Sequence, residues 1–482
     1  MTHRRSRRSN LLPAFLAFLS MTCAAAPDRG SVKLELWGLG REGEVIAELI
    51  PEFHRRNPGI RVDVQQMPWT AAHEKLLTAH VGDATPDLAQ MGNTWIPEFD
   101  AVGALEDLTP FVRRSTVIVP DDYFAGIWAT NVIAGTIYGI PWYVDTRLLF
   151  YRTDLLAAAG FPNPPRTWDE WLEAMKQLKI RGGANHYPIL LPTNEWAQPV
   201  LLALQKKAEL ISVESRGAFR DPRFVEAFTF YTGLFAKGFA PVVSESQVAN
   251  LHQQFGKGDF AMYITGPWNV GEFKKRLPAE MQDKWATAPL PNPDRCCGPG
   301  VSLAGGSSLV IFRDSPHKEA AWKLIEFLSE PAQQIRFYEA SGNLPARKSV
   351  WRDPRLGGDR HLAAFGAQLE QVVPTPKVPE WEQIATTISE HAQAKIRGEL
   401  TLEQALTALD KKTDQILAKR RWVLSRKKAT ASSSEITRPR TPRRTVAFPC
   451  GRTFQCPAGV AAIRAGRRDS GMSGPGALRR SS

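Results

Sequence analysis

The chain has 482 residues, enough for two or more domains, and its 43% hydrophobic content is ordinary for a protein with its own apolar core. Its net charge of +12 is concentrated at the two ends: residues 1–23 hold four arginines and no acid, and residues 423–482 hold 13 lysines and arginines against two acids. Residues 24–422 therefore carry −3, which excludes the broad basic surface that nucleic-acid binding requires.

The N-terminus has the order of a secretory signal. A basic stretch, Arg4–Arg8, precedes the apolar run Leu11–Thr22 and the small residues Ala24–Ala26. The run is too short for a membrane span, which needs about 20 residues, so residues 1–26 are predicted to be a signal peptide. Cys23 leaves a second possibility, the lipid-accepting cysteine of a bacterial lipoprotein. No later segment is long and apolar enough to cross a bilayer.

Strand and helix patterns alternate over the first hundred residues. The predicted elements are a strand at Val32–Trp37, a helix at Glu44–Asn57, a strand at Ile60–Val64, a helix at His73–Val81 and a strand at Leu88–Met91. This alternation predicts a parallel α/β sheet with helices on both faces. Ligands bind such sheets at the carboxyl ends of the strands, here Trp37–Gly40, Gln66–Trp69 and Gly92–Trp95.

The most informative stretch is Gly139–Arg152, which is predicted to be a strand because β-branched and aromatic residues dominate it. Asp145 and Arg147 lie two apart, so on a strand they share a face. Trp142 and Tyr143 precede them, and flat rings beside charged groups can hold a sugar. The alternative is a structural Asp–Arg pair, because a buried charge needs a partner.

Further helices and strands follow to about residue 420. Helices are predicted at Thr167–Lys179, Asp221–Lys237, Ser315–Ser329 and Glu399–Lys419, and strands at Gly258–Ile264 and Ser308–Phe312. The periodicity disappears at about Val423. Residues 423–482 are rich in Arg, Ser, Pro and Gly, so they are predicted to be a disordered basic tail.

Motifs for catalysis, metals or cofactors are missing from the sequence. Glu44, Glu98 and Asp145 are candidate paired carboxylates, but nothing places two of them at a glycosidase spacing. There is no nucleophile elbow, zinc-protease motif or phosphate loop. The five cysteines, which include adjacent Cys296 and Cys297, form neither a disulfide framework nor a zinc pattern. We expect no cofactor and no metal.

The 14 tryptophans are unusually placed, since several follow turn residues. A core position is the default for each, but this repeated placement favours a stacking surface for some of them. Those at loop junctions are Trp37, Trp69, Trp95, Trp142, Trp268 and Trp381, whereas Trp168, Trp171, Trp196 and Trp322 fit core or helix-surface positions better.

Several segments, in this order, resemble the sugar-binding proteins of bacterial ABC importers, the extracellular solute-binding class that includes maltose- and trehalose-binding proteins. The resemblance covers residues 31–420. The matching segments are Trp37–Glu44, Phe53–Gly59, Pro86–Gln90, Trp95 with Gly103–Leu108, Tyr138–Leu155, Phe255–Gly258 with Gly266–Trp268, Gly305–Gly306, Ala320–Leu328 and Leu344–Arg347.

This resemblance implies a two-lobed periplasmic-binding-protein fold of type II, with the ligand between lobes that three chain crossings join. By analogy, residues 31–141 and 306–345 form lobe 1, and residues 142–305 and 346–422 form lobe 2. The protein would be a non-catalytic, monomeric, extracytoplasmic binding component that delivers a sugar to a membrane permease. A secreted carbohydrate-active enzyme and a binding protein for a non-sugar solute remain the alternatives.

The resemblance also implies roles for individual residues. Asp145 resembles the acceptor of sugar hydroxyls, with Tyr143 as its neighbour, and Trp268 resembles a stacking ring. Arg147 and Ser307 depart from the trehalose-type pattern, so the resemblance does not extend to the identity of the sugar. The implied ligand-binding residues are Glu44, Trp69, Asn93, Tyr143, Asp145, Arg147, Trp268, Gly305, Gly306, Ser307 and Arg347.

Overall fold

The computed structural model describes residues 31–248, 250–294 and 298–426. The predicted signal peptide, the Cys296–Cys297 pair and the tail beyond residue 426 lie outside these ranges. Within them, residues 418–426 are helical, so ordered chain continues slightly past the predicted boundary at Val423. No helix in the described ranges combines the length and the apolar character that a membrane crossing requires.

Strands and helices alternate along much of the described chain. The strands are β1 (Val32–Leu39), β2 (Ile60–Met67), β3 (Leu88–Gly92), β4 (Val132–Ile133), β5 (Thr136–Ile137), β6 (Ile140–Asp145), β7 (Leu148–Arg152), β8 (Tyr187–Leu190), β9 (Phe260–Thr265), β10 (Trp285–Ala288), β11 (Ser302–Leu303), β12 (Gly305–Ile311), β13 (Leu344–Pro345) and β14 (Val372–Val373). The α-helices are α1 (Gly40–Arg56), α2 (Trp69–Val81), α3 (Ile96–Ala101), α4 (Thr109–Arg114), α5 (Ala125–Thr130), α6 (Thr153–Ala158), α7 (Trp168–Gly182), α8 (Ala197–Gln205), α9 (Pro222–Ala236), α10 (Leu251–Lys257), α11 (Trp268–Arg276), α12 (Lys318–Ser329), α13 (Pro331–Ser341), α14 (Pro354–Gly357), α15 (Ala363–Leu369), α16 (Trp381–Ile396) and α17 (Leu402–Ile416).

Two main sheets organise these elements. The first has six strands in the order β13-β6-β12-β3-β1-β2, and the second has four in the order β10-β7-β9-β8. In the first sheet β1 pairs in parallel with β2 and β3, as the alternating pattern predicts, whereas the β12–β3, β12–β6 and β13–β6 pairs are antiparallel. The α/β prediction is therefore confirmed. The antiparallel strands come from distant parts of the chain, which local periodicity does not reveal.

Alternation along β1 explains why helices cover both faces of the first sheet. Leu34 and Leu36 point into one buried cluster with side chains of α1 and α12, and Trp37 and Leu39 point into another with side chains of α2 and α3. On α1 the buried apolar side chains Val45, Ile46, Leu49, Ile50 and Phe53 form one stripe at helical spacing.

The stretch Gly139–Arg152 is not one strand, which corrects the prediction. β6 belongs to the six-stranded sheet and β7 to the four-stranded sheet, and Thr146 and Arg147 carry the chain between them. The first crossing therefore follows Asp145, four residues beyond the boundary expected at residue 141. The chain returns at Ala304, between β11 and β12, one residue before the expected boundary.

The third crossing also comes later than expected. Arg347 donates from Nε to Asp122 Oδ2 at 2.7 Å and from Nη1 to the Ser329 carbonyl at 2.9 Å, so the chain after β13 stays beside the first sheet. It reaches the second sheet by Asp359, which pairs with Lys274, and by His361, whose ring stacks on Trp285. Arg355 still pairs with Glu339 of α13, so the crossing lies at about residues 356–358 rather than at 346.

His361 should make stability depend on pH. Its ring lies 3.7 Å from Trp285 and is 4% exposed, and burial, aided by neighbouring Arg360, lowers its pKa to about 4. The unfolded chain binds a proton below its ordinary pKa of 6.5, whereas the folded chain does not until about pH 4. Stability therefore falls as the pH drops through this window, by about 3 kcal/mol at most.

We expect His361→Phe to flatten the fall in melting temperature between pH 7 and pH 4.5, since phenylalanine keeps the stack and cannot titrate. Exposed His186 provides the control, because His186→Phe should leave the slope unchanged. Equal slopes for wild type and His361→Phe would contradict this assignment.

Candidate functional site

A cleft of about 410 Å³ lies where the first two crossings meet the carboxyl ends of β1 and β3, and it has the size of a small-molecule site. Residues from both sheets and from the connecting segments line it. They are Glu42, Trp69, Gly92, Asn93, Thr94, Trp95, Tyr143, Asp145, Arg147, Trp196, Trp268, Leu303, Ala304, Gly305, Gly306, Asn343 and Thr375.

Most of the residues expected to bind ligand line this cleft together. Trp69 and Asn93 come from the first sheet's helix and strand ends, and Trp268 begins α11 beside the second sheet. The others lie at the first two crossings: Tyr143, Asp145, Arg147, Gly305 and Gly306. Residues up to 237 positions apart in the sequence, from Trp69 to Gly306, thus converge on one surface.

Three expected residues lie elsewhere. Glu44 is exposed and accepts from Gln66 Nε2 at 3.0 Å, while Glu42 lines the cleft in its place. Two residues correspond to about 200° of rotation around a helix, so the two glutamates point in nearly opposite directions. Ser307 is fully buried, and its Oγ accepts from Gln90 Nε2 at 3.4 Å. Arg347 is buried in its ion pair with Asp122.

The first-sheet wall of the cleft is an aromatic corner formed by Trp69 and Trp95. Their rings meet edge to face with centroids 5.6 Å apart. Glu42 accepts from Trp69 Nε1 at 3.4 Å and from Asn343 Nδ2 at 2.9 Å, so it joins three distant segments. Gly40 has φ +53, and a Cβ there would lie 2.8 Å from Trp69 Cδ1, which explains why a glycine precedes Glu42.

A charged pair supports this aromatic corner from behind. The His73 ring packs edge-on against Trp95 at 5.0 Å, and its Nε2 lies 2.8 Å from a carboxylate oxygen of Glu98. The hydrogen bond to Glu98 raises the pKa of His73 above its ordinary value. Glu98, one of the candidate catalytic acids, is therefore occupied by His73 and does not line the cleft.

Polar groups at the floor of the cleft are partly unpartnered. Asn93 is 4% exposed, and its Oδ1 accepts from Ser308 Oγ at 2.9 Å, but its Nδ2 has no hydrogen-bond partner among the described residues. Tyr143 accepts from Gln90 Nε2 at 3.3 Å, and burial raises the pKa of its phenol, which keeps it neutral. A buried donor without a partner is costly, so Asn93 is suited to a ligand oxygen.

The sequence left open whether Asp145 and Arg147 form a ligand site or a structural ion pair, and the structure shows features of both. Arg147 Nη1 donates to Asp145 Oδ1 at 3.0 Å, so they form an ion pair, and both also line the cleft. A Cβ on Gly305 would lie 2.5 Å from that same oxygen. Gly306, at φ +119, would place a Cβ against the Tyr143 carbonyl. Only glycines allow the returning chain to pack this closely on β6.

The second-sheet wall carries two more tryptophans. Trp268 is 44% exposed and lies across Gly266, where any Cβ would overlap its ring. Trp196 lines the cleft and packs edge-on at 5.7 Å against Trp381, which is 1% exposed. Trp381, which its position in the sequence suggested for stacking, is therefore a core residue, whereas Trp196, for which a core or helix-surface position was predicted, lines the cleft. Trp37 and Trp142 are also core residues.

Two α/β layers joined by chain crossings, with an aromatic and polar cleft at those crossings, define the class of two-lobed binding proteins. Residues 37–335 match the sequence model of the bacterial extracellular solute-binding proteins, and the chain belongs to this family. The type II fold and the family resemblance inferred from the sequence are confirmed.

Solved structures and a curated relative give the same picture. The sugar-binding protein MalE from Xanthomonas citri is 49% identical with a TM-score of 0.79, over 82% of this chain and 99% of that one. A Thermotoga lettingae solute-binding protein bound with α-D-tagatose is 27% identical with a TM-score of 0.67, over 80% of this chain and all of the other. The galactooligosaccharide-binding protein of Bacillus subtilis is 25% identical, over 82% of this chain and 92% of its own length. All three are binding proteins.

Gly266→Ala should displace the Trp268 ring. We expect a loss of about 1–3 kcal/mol of stability from overpacking and a shifted tryptophan emission spectrum. Gly271→Ala lies in α11, the helix that Trp268 begins, and open space surrounds the position of its added Cβ. It is the control and should be neutral or stabilising. Unchanged emission and melting temperature in Gly266→Ala would contradict the close packing of Trp268 on Gly266.

Proposed function

We propose that this protein is the carbohydrate-binding component of an ABC sugar importer. It captures a mono- or oligosaccharide in the cleft and delivers it to a membrane permease. The observation that carries this proposal is the position of Asp145, a carboxylate at a chain crossing between tryptophans on both walls. The Xanthomonas citri, Thermotoga lettingae and Bacillus subtilis proteins support it by the sugars that their names report.

The cleft matches the two kinds of surface on a sugar. Tryptophan rings cover the apolar C–H faces, and side chains with fixed hydrogen-bonding groups take the hydroxyls. Asn93 supplies a donor that has no partner among the described residues, and the carboxylates of Glu42 and Asp145 supply acceptors. We infer that the ligand-binding residues are Trp69, Asn93, Tyr143, Asp145, Arg147, Trp268, Gly305 and Gly306, with Glu42 in place of Glu44.

We infer that the six-stranded sheet belongs to lobe 1 and the four-stranded sheet to lobe 2. The hinge then consists of residues 146–147, residue 304 and about residues 356–358. Hinge closure would bury the sugar, and a sugar drives closure only if it binds the closed state better than the open one. The closed form is the species that would dock on the permease.

The remaining features agree with binding rather than catalysis. Glu44 is exposed on α1 and Glu98 is paired with His73, so neither shares the cleft with Asp145. Glu42 does share it, but its carboxylate accepts hydrogen bonds from Trp69 and Asn343. We propose a monomer outside the cytoplasm, exported by residues 1–26, with a lipid anchor at Cys23 as the alternative to cleavage after Ala26.

Sugar binding is tested by titrating intrinsic tryptophan fluorescence with maltose, trehalose, a galactooligosaccharide and tagatose. Because Trp69, Trp95, Trp196 and Trp268 line the cleft, binding should change the signal and raise the melting temperature. A panel without any response would overturn the proposal. Release of reducing ends at enzymatic rates would replace it with the carbohydrate-active enzyme.

Asp145→Ala should weaken the affinity for the best sugar of this panel roughly 10- to 100-fold while the protein stays folded, since a hydrogen bond to a charged group is lost. Glu44→Ala is the matched control: it removes an acid from the same region but outside the cleft, and it should leave the affinity unchanged. Equal affinity for Asp145→Ala and wild type would reduce Asp145 to a structural ion pair.

Removal of residues 427–482 should leave sugar affinity unchanged, because every lining residue of the cleft precedes residue 376. The comparison is isothermal titration of the shortened and full-length proteins with the same sugar. A clear loss of affinity on truncation would assign the basic tail a part in binding.

A further inference from the structure

The Arg147 guanidinium lies over the Trp268 ring inside the cleft. Its guanidinium carbon is 4.5 Å from the centroid of the indole, and its Nη1 donates to Asp145 Oδ1 at 3.0 Å. The arginine side chain is only 17% exposed, and Ser302 Oγ holds its backbone by donating to the Arg147 carbonyl at 2.6 Å. The cation thus covers one face of a ring that the sequence suggested for sugar stacking.

We propose that Trp268 serves as a platform for Arg147, and that the Arg147 guanidinium selects the sugar by donating to two neighbouring hydroxyls. This inference rests on the proposed function and narrows its substrate class to neutral sugars that present such a pair of hydroxyls. A sugar ring could stack on the covered face of Trp268 only after displacing the cation and breaking its contact with the indole.

The Arg147 guanidinium is held in a position from which it can donate two hydrogen bonds to one ligand. A guanidinium carries five N–H donors in one rigid plane. Within the described residues, the Arg147 side chain makes one hydrogen bond, from Nη1 to Asp145. Stacking on an aromatic face fixes that plane, so little freedom remains to be lost when hydroxyls bind. Glycines at positions 266 and 305 let Trp268 and Asp145 take these positions, because a Cβ at either would collide with them.

The charge balance of the cleft favours a neutral ligand. Its charged lining residues are Glu42, Asp145 and Arg147, which sum to −1 at neutral pH. Asp145 already neutralises Arg147, so an anionic sugar would meet a net repulsion rather than a free cation. The fork is therefore directed at hydroxyl oxygens rather than at a carboxylate or phosphate.

A double-mutant cycle tests whether Arg147 and Trp268 act as one unit. Sugar affinities are measured for wild type, Arg147→Met, Trp268→Leu and the double variant, with maltose or whichever panel sugar binds most tightly. Methionine keeps an apolar chain against the indole but removes every donor. We expect Arg147→Met to lose roughly 10- to 100-fold in affinity. Trp268→Leu should cost severalfold in wild type and almost nothing in the Arg147→Met background.

Further arms address the substrate class and the fold. Monodeoxy analogues that lack either recognised hydroxyl should bind more weakly to wild type but not to Arg147→Met. The corresponding uronic acid should bind more weakly than the neutral sugar. Arg147→Lys, which keeps the charge without the fork, should recover only part of the affinity. Arg276→Met, an arginine outside the cleft, is the control, and melting temperatures show whether each variant is folded.

The outcomes separate this inference from the function on which it rests. If wild type binds a sugar but Arg147→Met binds it equally or more tightly, or if the two substitutions are additive, Trp268 stacks the sugar independently and the inference is wrong. Tighter binding of the uronic acid would also overturn it. If wild type binds no sugar of the panel, the proposed function fails, and this inference fails with it.

Discussion

The close pairing of β6 with β12 at the crossings is the constraint on which the cleft depends. Where β6 ends, Asp145 lies opposite Gly305 of β12 and Val144 lies opposite Gly306. The carboxylate of Asp145 occupies the space that any side chain at position 305 would need. Two crossings are thereby held side by side, and the acid is left at the point where the chain changes sheets. A larger residue at 305 or 306 would move the carboxylate and the two paired crossings together.

Arginine–carboxylate pairs have two different uses in this molecule. Arg347 is buried and bonds to Asp122 and to the Ser329 carbonyl, so its donors fix the third connection to the first sheet. Arg147 bonds to one carboxylate and leaves most of its donors directed at a cavity. Both arginines closely follow strands of the first sheet, and the family resemblance implied a ligand role for each. The number of protein partners distinguishes them, because a fully paired buried charge has little left to offer a ligand.

The sequence predicted the regular part of the fold well and the site in part. Residues of β1, α1, β2 and β3 follow simple periodicities, and these elements lie within a few residues of their predicted bounds. The prediction of one continuous strand at Gly139–Arg152 was wrong, because a run of apolar residues shows that a segment is buried but not to which sheet it belongs. The predicted helix began at Glu44, whereas α1 begins at Gly40. A helix predicted from Gly40 would have placed Glu42 in its first turn, next to the carboxyl end of β1. Asn343 and Thr375 carry no local signal, since tertiary packing alone brings them to the cleft.

The cleft contains hydrogen-bond donors without protein partners among the described residues, and a ligand can pair with them. The amide nitrogen of Asn93 has no partner within the described chain, and the Arg147 guanidinium uses a fraction of its donors. In the open cleft water can reach the partly exposed Arg147 guanidinium, whereas the Asn93 nitrogen is already buried without a partner among the described residues. Closure without a sugar would bury the remaining Arg147 donors unpaired as well, and that penalty opposes the empty closed state. A sugar whose hydroxyls meet these donors removes the penalty, which gives it the differential affinity for the closed state that closure requires. The same unpaired groups would therefore provide both the selectivity of the site and the coupling between binding and closure.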